Sequence, residues 1–165
     1  DFVKALLPTV EKTGVTLCVE NSTKVNMKDM YYFFTGADMR EFVELVNHPL
    51  FGVCWDTGHA VMEGKFNQRE EFRKLGKNLK AVHIHDNNGV DDLHLPPYSC
   101  LANGRHHVCN WDSLVEGLKE IGYRGVLAFE TFRVYSAYPA DVRTDALKLI
   151  ASIGRSWSKR IEGEE

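Results

Sequence analysis

Four short apolar runs rich in β-branched residues, each running into an acidic side chain, constrain this chain more than any other feature. They cover residues 15–20, 51–56, 81–86 and 125–130 and end in Glu20, Asp56, Asp86 and Glu130. Each run is nearly continuous in apolar character, the pattern of a strand covered on both faces. Helical patterns alternate with the runs. Met39, Phe42, Val43 and Val46 make one stripe in residues 38–46, with Asp38 placed as N-cap and Pro49 just past the end. Phe72, Leu75 and Leu79 repeat at helical spacing in 68–79, and Leu114, Val115, Leu118 and Ile121 do so in 111–121 before a Gly122 stop. A helix over 2–12 precedes the first strand, and one over 141–160, capped by Asp141, follows the last. The order αβαβαβαβα calls for a parallel α/β sheet built from right-handed βαβ units.

An open doubly wound sheet and a (β/α)8 TIM barrel both satisfy that order. The polar residues favour the barrel, because there the C-terminal ends of all the strands converge on one site. A full barrel takes about 250 residues and eight strands, whereas this chain has 165 residues and four runs. The expectation is one partial barrel domain over 1–165, the C-terminal half. A chain that opens on Asp1 rather than Met fits a piece of something longer.

Composition narrows the function. With 20 Lys+Arg against 23 Asp+Glu and a net charge of −3, the chain lacks the broad basic footprint of a nucleic-acid binder. No apolar run approaches the roughly 18 residues that span a bilayer, which excludes a membrane helix. Cys18 and Cys54 lie inside apolar runs, where a free cysteine is a small core hydrophobe, and a reduced, cytoplasmic protein is the default expectation. Cys100, His106, His107 and Cys109 cluster in sequence, so that a disulfide or a small zinc site is conceivable there, although the spacing fits no standard ligand pattern.

The strand ends carry the chemistry. VTLCVEN finishes on Glu20 and Asn21, FGVCWDTGHA presents Trp55, Asp56 and His59, and VLAFET presents Glu130. In AVHIHDN, His83 and His85 share one face of a strand, and VDDLHLPP follows with an Asp92-x-His94 pair. Carboxylate and imidazole donors without cysteine suit a hard to borderline divalent ion such as Mn²⁺, Mg²⁺, Co²⁺ or Zn²⁺.

These segments, with NWDSLVEGLKEIGYRGVLAFET, together resemble the second half of the xylose isomerase-like TIM-barrel superfamily, from about Thr13 to Thr131. That superfamily includes tagatose 3-epimerase-type sugar isomerases and epimerases and endonuclease IV-type apurinic endonucleases. The resemblance implies one divalent metal on Glu20, Asp56, His83 and Glu130, with His59 beside the substrate or a second metal. It likens Asp92 and His94 to the pair that holds an additional metal in the endonucleases. The implied activity is a metal-dependent isomerase or epimerase of a small-molecule sugar or sugar phosphate, working through an enediolate with Glu20 and Glu130 as acid and base and His59 on a substrate oxygen. The alternatives are an apurinic endonuclease-type zinc phosphodiesterase and a catalytically incomplete barrel fragment, completed by a second copy or by an N-terminal half-barrel. Asn21, Trp55, His85 and Arg105 are candidates for lining the substrate, His85 being better suited to hydrogen-bonding a ligand than to ligation.

Two departures from the family pattern bear on the substrate. Gly89 stands where tagatose epimerase-type enzymes carry a substrate-binding Arg. Residues 98–109, YSCLANGRHHVC, form an insertion at the barrel mouth that presents Tyr98, Arg105 and His106.

Overall fold

The apolar runs pair side by side in the order in which the chain makes them. In the computed structural model, which describes residues 1–28, 32–102 and 104–164, the chain begins with α1 (Phe2–Thr13), β1 (Leu17–Glu20), α2 (Gly36–Val46) and β2 (Phe51–Asp56). It continues with α3 (Thr57–Met62), α4 (Arg69–Leu75), β3 (Leu79–Ile84) and a small hairpin of β4 (Leu101–Ala102) and β5 (His106–His107). α5 (Trp111–Glu120), β6 (Leu127–Phe129), α6 (Val134–Ala137) and α7 (Arg143–Glu162) complete it. The main sheet is parallel throughout, with spatial order β1-β2-β3-β6. Because this order never reverses, right-handed crossovers carry every connecting helix to the same face. α2 packs on α4, α4 on α5 and α5 on α7 in one outer layer. A doubly wound sheet reverses its strand order at a switch point, so the topology is that of four consecutive strands of a barrel wall.

The core lies between this wall and the helices. Val53 and Trp55 of β2 and Val82 and Ile84 of β3 meet Met39 and Val43 of α2, Phe72 and Leu75 of α4, Leu114, Val115 and Leu118 of α5 and Trp157 of α7. β2 is buried at all six positions, whereas β1 and β6, at the two sides of the sheet, are only half-buried. The register sets the functional end: Glu20 lies opposite Cys54, Asp56 opposite His83, and the Glu130 N–H donates to the Ile84 carbonyl at 3.0 Å.

The elements depart from the sequence reading mainly at their ends. The N-cap of α2 is Thr35, not Asp38. Thr35 Oγ1 accepts from the Asp38 N–H and Asp38 Oδ2 accepts from the Thr35 N–H, both at 3.2 Å, so Asp38 is the third residue of a capping box. The helical spacing of Phe72, Leu75 and Leu79 spans two elements: α4 stops at Leu75, Gly76 turns at φ 50°, and Leu79 already begins β3. α7 starts with Val142 at its N-cap position and no side-chain cap, so Asp141 does not cap it. The short helices α3 and α6 and the β4–β5 hairpin within the 98–109 insertion were not expected. All four cysteines are free thiols, which removes the disulfide considered for Cys100 and Cys109. Among the described residues no helix is long and apolar enough to cross a membrane.

Leu118 of α5 is fully buried in this core. We expect Leu118→Ala to lower the unfolding free energy by about 3 kcal/mol and Thr35→Ala, which breaks the capping box, by about 1 kcal/mol, each measured by urea titration followed by circular dichroism.

Candidate metal centre

Alternation along the strands sends Asp56 and His83 to the face opposite the helices, and Trp55, Val82 and Ile84 into the core. The resulting cluster has Asp56 at its base. Its carboxylate has no solvent exposure and is held from three elements. Oδ1 accepts from the His59 N–H at 2.7 Å, so that Asp56 caps α3, and the two oxygens lie 3.0 and 3.1 Å from His85 Nε2. Asn21 clamps the main chain of the same residue, receiving the Asp56 N–H at 2.6 Å and donating to the Asp56 carbonyl at 2.9 Å. Burial works to raise the Asp56 pKa, but the hydrogen bond and charge of His85, with His59, prevail and hold it below the ordinary carboxylate value. The same contact works in reverse on His85: burial opposes its charging, and Asp56, then Asp92 and Glu130, raise its pKa nonetheless.

Above Asp56 stand the more open groups. His83 Nδ1 lies 3.3 Å from Glu20 Oε1 and 3.2 Å from Glu130 Oε1, bringing the ends of β1, β3 and β6 together. Ligand atoms of Glu20, Asp56 and His83 lie within 4.8 Å of one another, as do those of Asp56, His59 and His85 and those of His85, Asp92 and His94. All four residues to which the resemblance assigns the metal are therefore brought to one place, and His59, Asp92 and His94 adjoin them.

Two imidazoles have their tautomers set by main-chain carbonyls. His59 Nδ1 is 2.9 Å from the Asn21 carbonyl and His94 Nδ1 is 2.9 Å from the Glu130 carbonyl, so both donate there and leave their Nε2 lone pairs free. Those lone pairs face Asp92: His59 Nε2 is 3.5 Å from Oδ2 and His94 Nε2 is 3.2 Å from Oδ1, and Asp92 Oδ1 is buried with no hydrogen-bond partner. Glu20, Asp56, Asp92 and Glu130 have only histidines as ion-pair partners among the described residues. Acceptors converging on acceptors without Lys or Arg are arranged for a cation. The residues present fit a divalent ion.

Other sequence candidates fall elsewhere. Asn21 cannot line a substrate, since both atoms of its buried side-chain amide are engaged by Asp56. Trp55 is fully buried on the helix side, its indole N–H donating to Gln68 Oε1 at 2.8 Å. Arg105 is exposed on the hairpin and, with Tyr98, His106 and Trp111, lines a recess of about 310 Å³ at the start of α5, apart from the carboxylates. Asp86 points to the other side of the strand from His85 and accepts from the Cys100 N–H at 2.9 Å. Among the described residues no ligand group includes Cys100, His106, His107 or Cys109, and burial with Asp86 nearby pushes the Cys100 thiol up to about 11. Sequence reading missed the ring stack in which His85 lies 3.9 Å from His94 and His94 4.0 Å from Phe132. It also missed Gly58, where a Cβ would overlap the His85 ring.

Residues 1–153 match the xylose isomerase-like TIM-barrel family. The chain belongs to that family. It is 30% identical over 129 residues to the uncharacterized protein MJ1311 of Methanocaldococcus jannaschii, covering 74% of this chain and 42% of that protein. Among solved structures it is similar to a D-tagatose 3-epimerase-like protein, with 25% identity and a TM-score of 0.63 over 93% of this chain and 53% of that one. It is likewise similar to a D-psicose 3-epimerase with D-tagatose from Clostridium cellulolyticum H10, with 25% identity and a TM-score of 0.61 over 76% and 38%. The chain thus spans about half the length, or less, of these relatives.

The Asp56–His85 contact has a defined pH window in the metal-free protein. Asp56, with its pKa below the ordinary 3.8, contributes stability above that pH and loses it as pH falls through the lowered value. His85, raised above the ordinary 6.5, contributes below that pH and loses it as pH rises through the raised value. We expect the melting temperature in EDTA to decline on both sides of the interval from 3.8 to 6.5, and the alkaline decline to vanish in His85→Gln. An alkaline limb unchanged in that variant would contradict the assignment.

Proposed function

We propose that this chain forms the metal-binding wall of a divalent-metal-dependent sugar or sugar-phosphate epimerase or isomerase. The observation that carries the reading is the convergence of Glu20, Asp56, His83 and Glu130 from four neighbouring strand ends, without a Lys or Arg counter-ion among the described residues. Relatives with solved structures described as sugar epimerases support it.

A divalent ion such as Mn²⁺ on those four residues would polarise the carbonyl and adjacent hydroxyl of a keto sugar and acidify the proton on the carbon between them. Glu20 and Glu130 stand on either side of His83, at the two ends of the ligand arc, and each is about one-third exposed. One removes the carbon-bound proton from its face of the substrate, and the other returns a proton to the opposite face, inverting the centre. His59 presents Nε2 as an acceptor for a substrate hydroxyl. Asp56, held by Asn21 and His85, keeps its carboxylate ionised at the base of the site.

Proton exchange tests this reading. In D₂O with Mn²⁺, we expect deuterium to enter a ketose or keto-sugar phosphate at the carbon beside the carbonyl, read by proton NMR. Glu20→Gln and Glu130→Gln should each abolish exchange, and Glu130→Gln should weaken Mn²⁺ binding by about tenfold or more in calorimetry. If Glu130→Gln left metal binding and exchange intact, the site assignment would fail.

The His59–Asp92–His94 arrangement favours a second reading, an apurinic endonuclease-type zinc phosphodiesterase. Elemental analysis separates the two: one bound ion accompanies the epimerase, whereas three zinc ions together with cleavage of abasic DNA would establish the phosphodiesterase.

A further inference from the structure

The inserted residues 98–109 take no part in the metal centre, and with the start of α5 they build a recess of their own. Tyr98, Arg105, His106, His107 and Trp111 wall a volume of about 310 Å³, enough for a small ligand. Each of these side chains is a hydrogen-bond donor or can become one. Arg105 has no carboxylate partner among the described residues. His106 and His107 are exposed on the hairpin. Tyr98 Oη accepts from the Trp157 indole N–H at 3.2 Å, which leaves its own hydroxyl hydrogen free to donate.

Trp111 is the wall residue that calls for a ligand. The chain has three tryptophans, and all are buried. Trp55 donates its indole N–H to Gln68 at 2.8 Å and Trp157 donates to Tyr98, whereas the indole N–H of Trp111, a residue only 3% exposed, has no partner among the described residues. A buried donor left without an acceptor is destabilising, and the ring is held in place by stacking on Trp157 with centroids 5.4 Å apart. The start of α5 adds further donors. Its N-cap, Asn110, spends Oδ1 on the Ser113 N–H at 3.0 Å and its carbonyl on the Leu114 N–H at 3.1 Å. The N–H groups of Trp111 and Asp112 are therefore left at the positive end of the helix dipole without a partner among the described residues. The nearby carboxylates are already engaged. Asp112 also lines the recess but is paired with Arg160 Nη2 at 2.9 Å, and Asp86 accepts from the Cys100 N–H at 2.9 Å.

We propose that this recess binds a phosphate group, free or carried as the monoester of a small molecule, as a site separate from the metal centre. A guanidinium, two imidazoles, a phenol hydroxyl, an unpartnered indole N–H and a helix N-terminus surround it, and a tetrahedral oxyanion presents acceptors in every direction, as such a ring of donors requires. A planar carboxylate would meet only part of that ring. The site does not rest on the epimerase reading and stands or falls independently of it.

Calorimetry on the EDTA-treated protein tests the proposal with no divalent ion present to compete for phosphate. Inorganic phosphate and glycerol 3-phosphate should each bind one-to-one in a chloride background. Tighter binding of the ester identifies a phosphomonoester as the ligand, and tighter binding of the inorganic ion identifies free phosphate; either result supports the site. Arg105→Ala, and Trp111→Phe, which keeps an aromatic ring and deletes the indole N–H, should each weaken binding by about tenfold or more with circular dichroism unchanged. Arg105 is exposed, so its variant decides alone if Trp111→Phe does not fold. Absence of saturable binding for both ligands, or binding that the variants leave at full strength, overturns the assignment.

Discussion

A carboxylate withdrawn completely from water must be held by donors, and Asp56 draws them from every element around it. Asn21, beyond β1, fixes its main chain; the first turn of α3 binds one oxygen through the His59 N–H; His85, beyond β3, binds both. An unpartnered buried carboxylate costs several kcal/mol, about the whole stability margin of a small domain. The partners of Asp56 are therefore requirements of the fold as much as of the site. They set the register of three strand ends at once, because moving any of them along its neighbour by one residue removes a donor and turns the side chain to the other face.

The histidines extend that constraint outward. His59 and His94 each spend Nδ1 on a main-chain carbonyl, at Asn21 and Glu130, so the backbone next to one prospective ligand fixes the tautomer of another. His85 is pressed between the space of a missing Cβ at Gly58 and the face of His94, which in turn lies under Phe132. The inner groups are rigid and dry, whereas Glu20, His83 and Glu130 remain partly open to water. On the proposed function this gradient would suit a metal centre: the buried members would preorganise the geometry, and the exposed carboxylates would be free to exchange a proton with a substrate.

The strands and the cluster at their ends were legible in the sequence because they follow simple periods. The four runs appear as the four parallel strands within two residues at their ends, and Glu20, Asp56, His83 and Glu130 meet as the resemblance implied. Alternation alone separates the errors from the successes. Trp55 adjoins Asp56 and Asp86 adjoins His85, so in each pair one member must point away from the site. Trp55 accordingly fills the core and Asp86 anchors the hairpin. Asn21 has the right chemistry at the right strand end, but it is consumed by a main-chain partner 35 residues away, which no local pattern encodes. The caps of α2 and α7 and the two-residue strands of the hairpin depend on one or two hydrogen bonds each, too few to leave a period.

The division of labour between strands and loops bears on how such a chain acquires its substrate. The residues proposed to bind the metal are strand-end side chains tied into the core through Asp56, and substitutions there should disturb the fold. The loop and hairpin beside them are tied down by Asp86, Asn87 and the Asn110–Phe66 contact, with Val108 packed against the core. Residues on the strand ends and residues on the loops can therefore change separately.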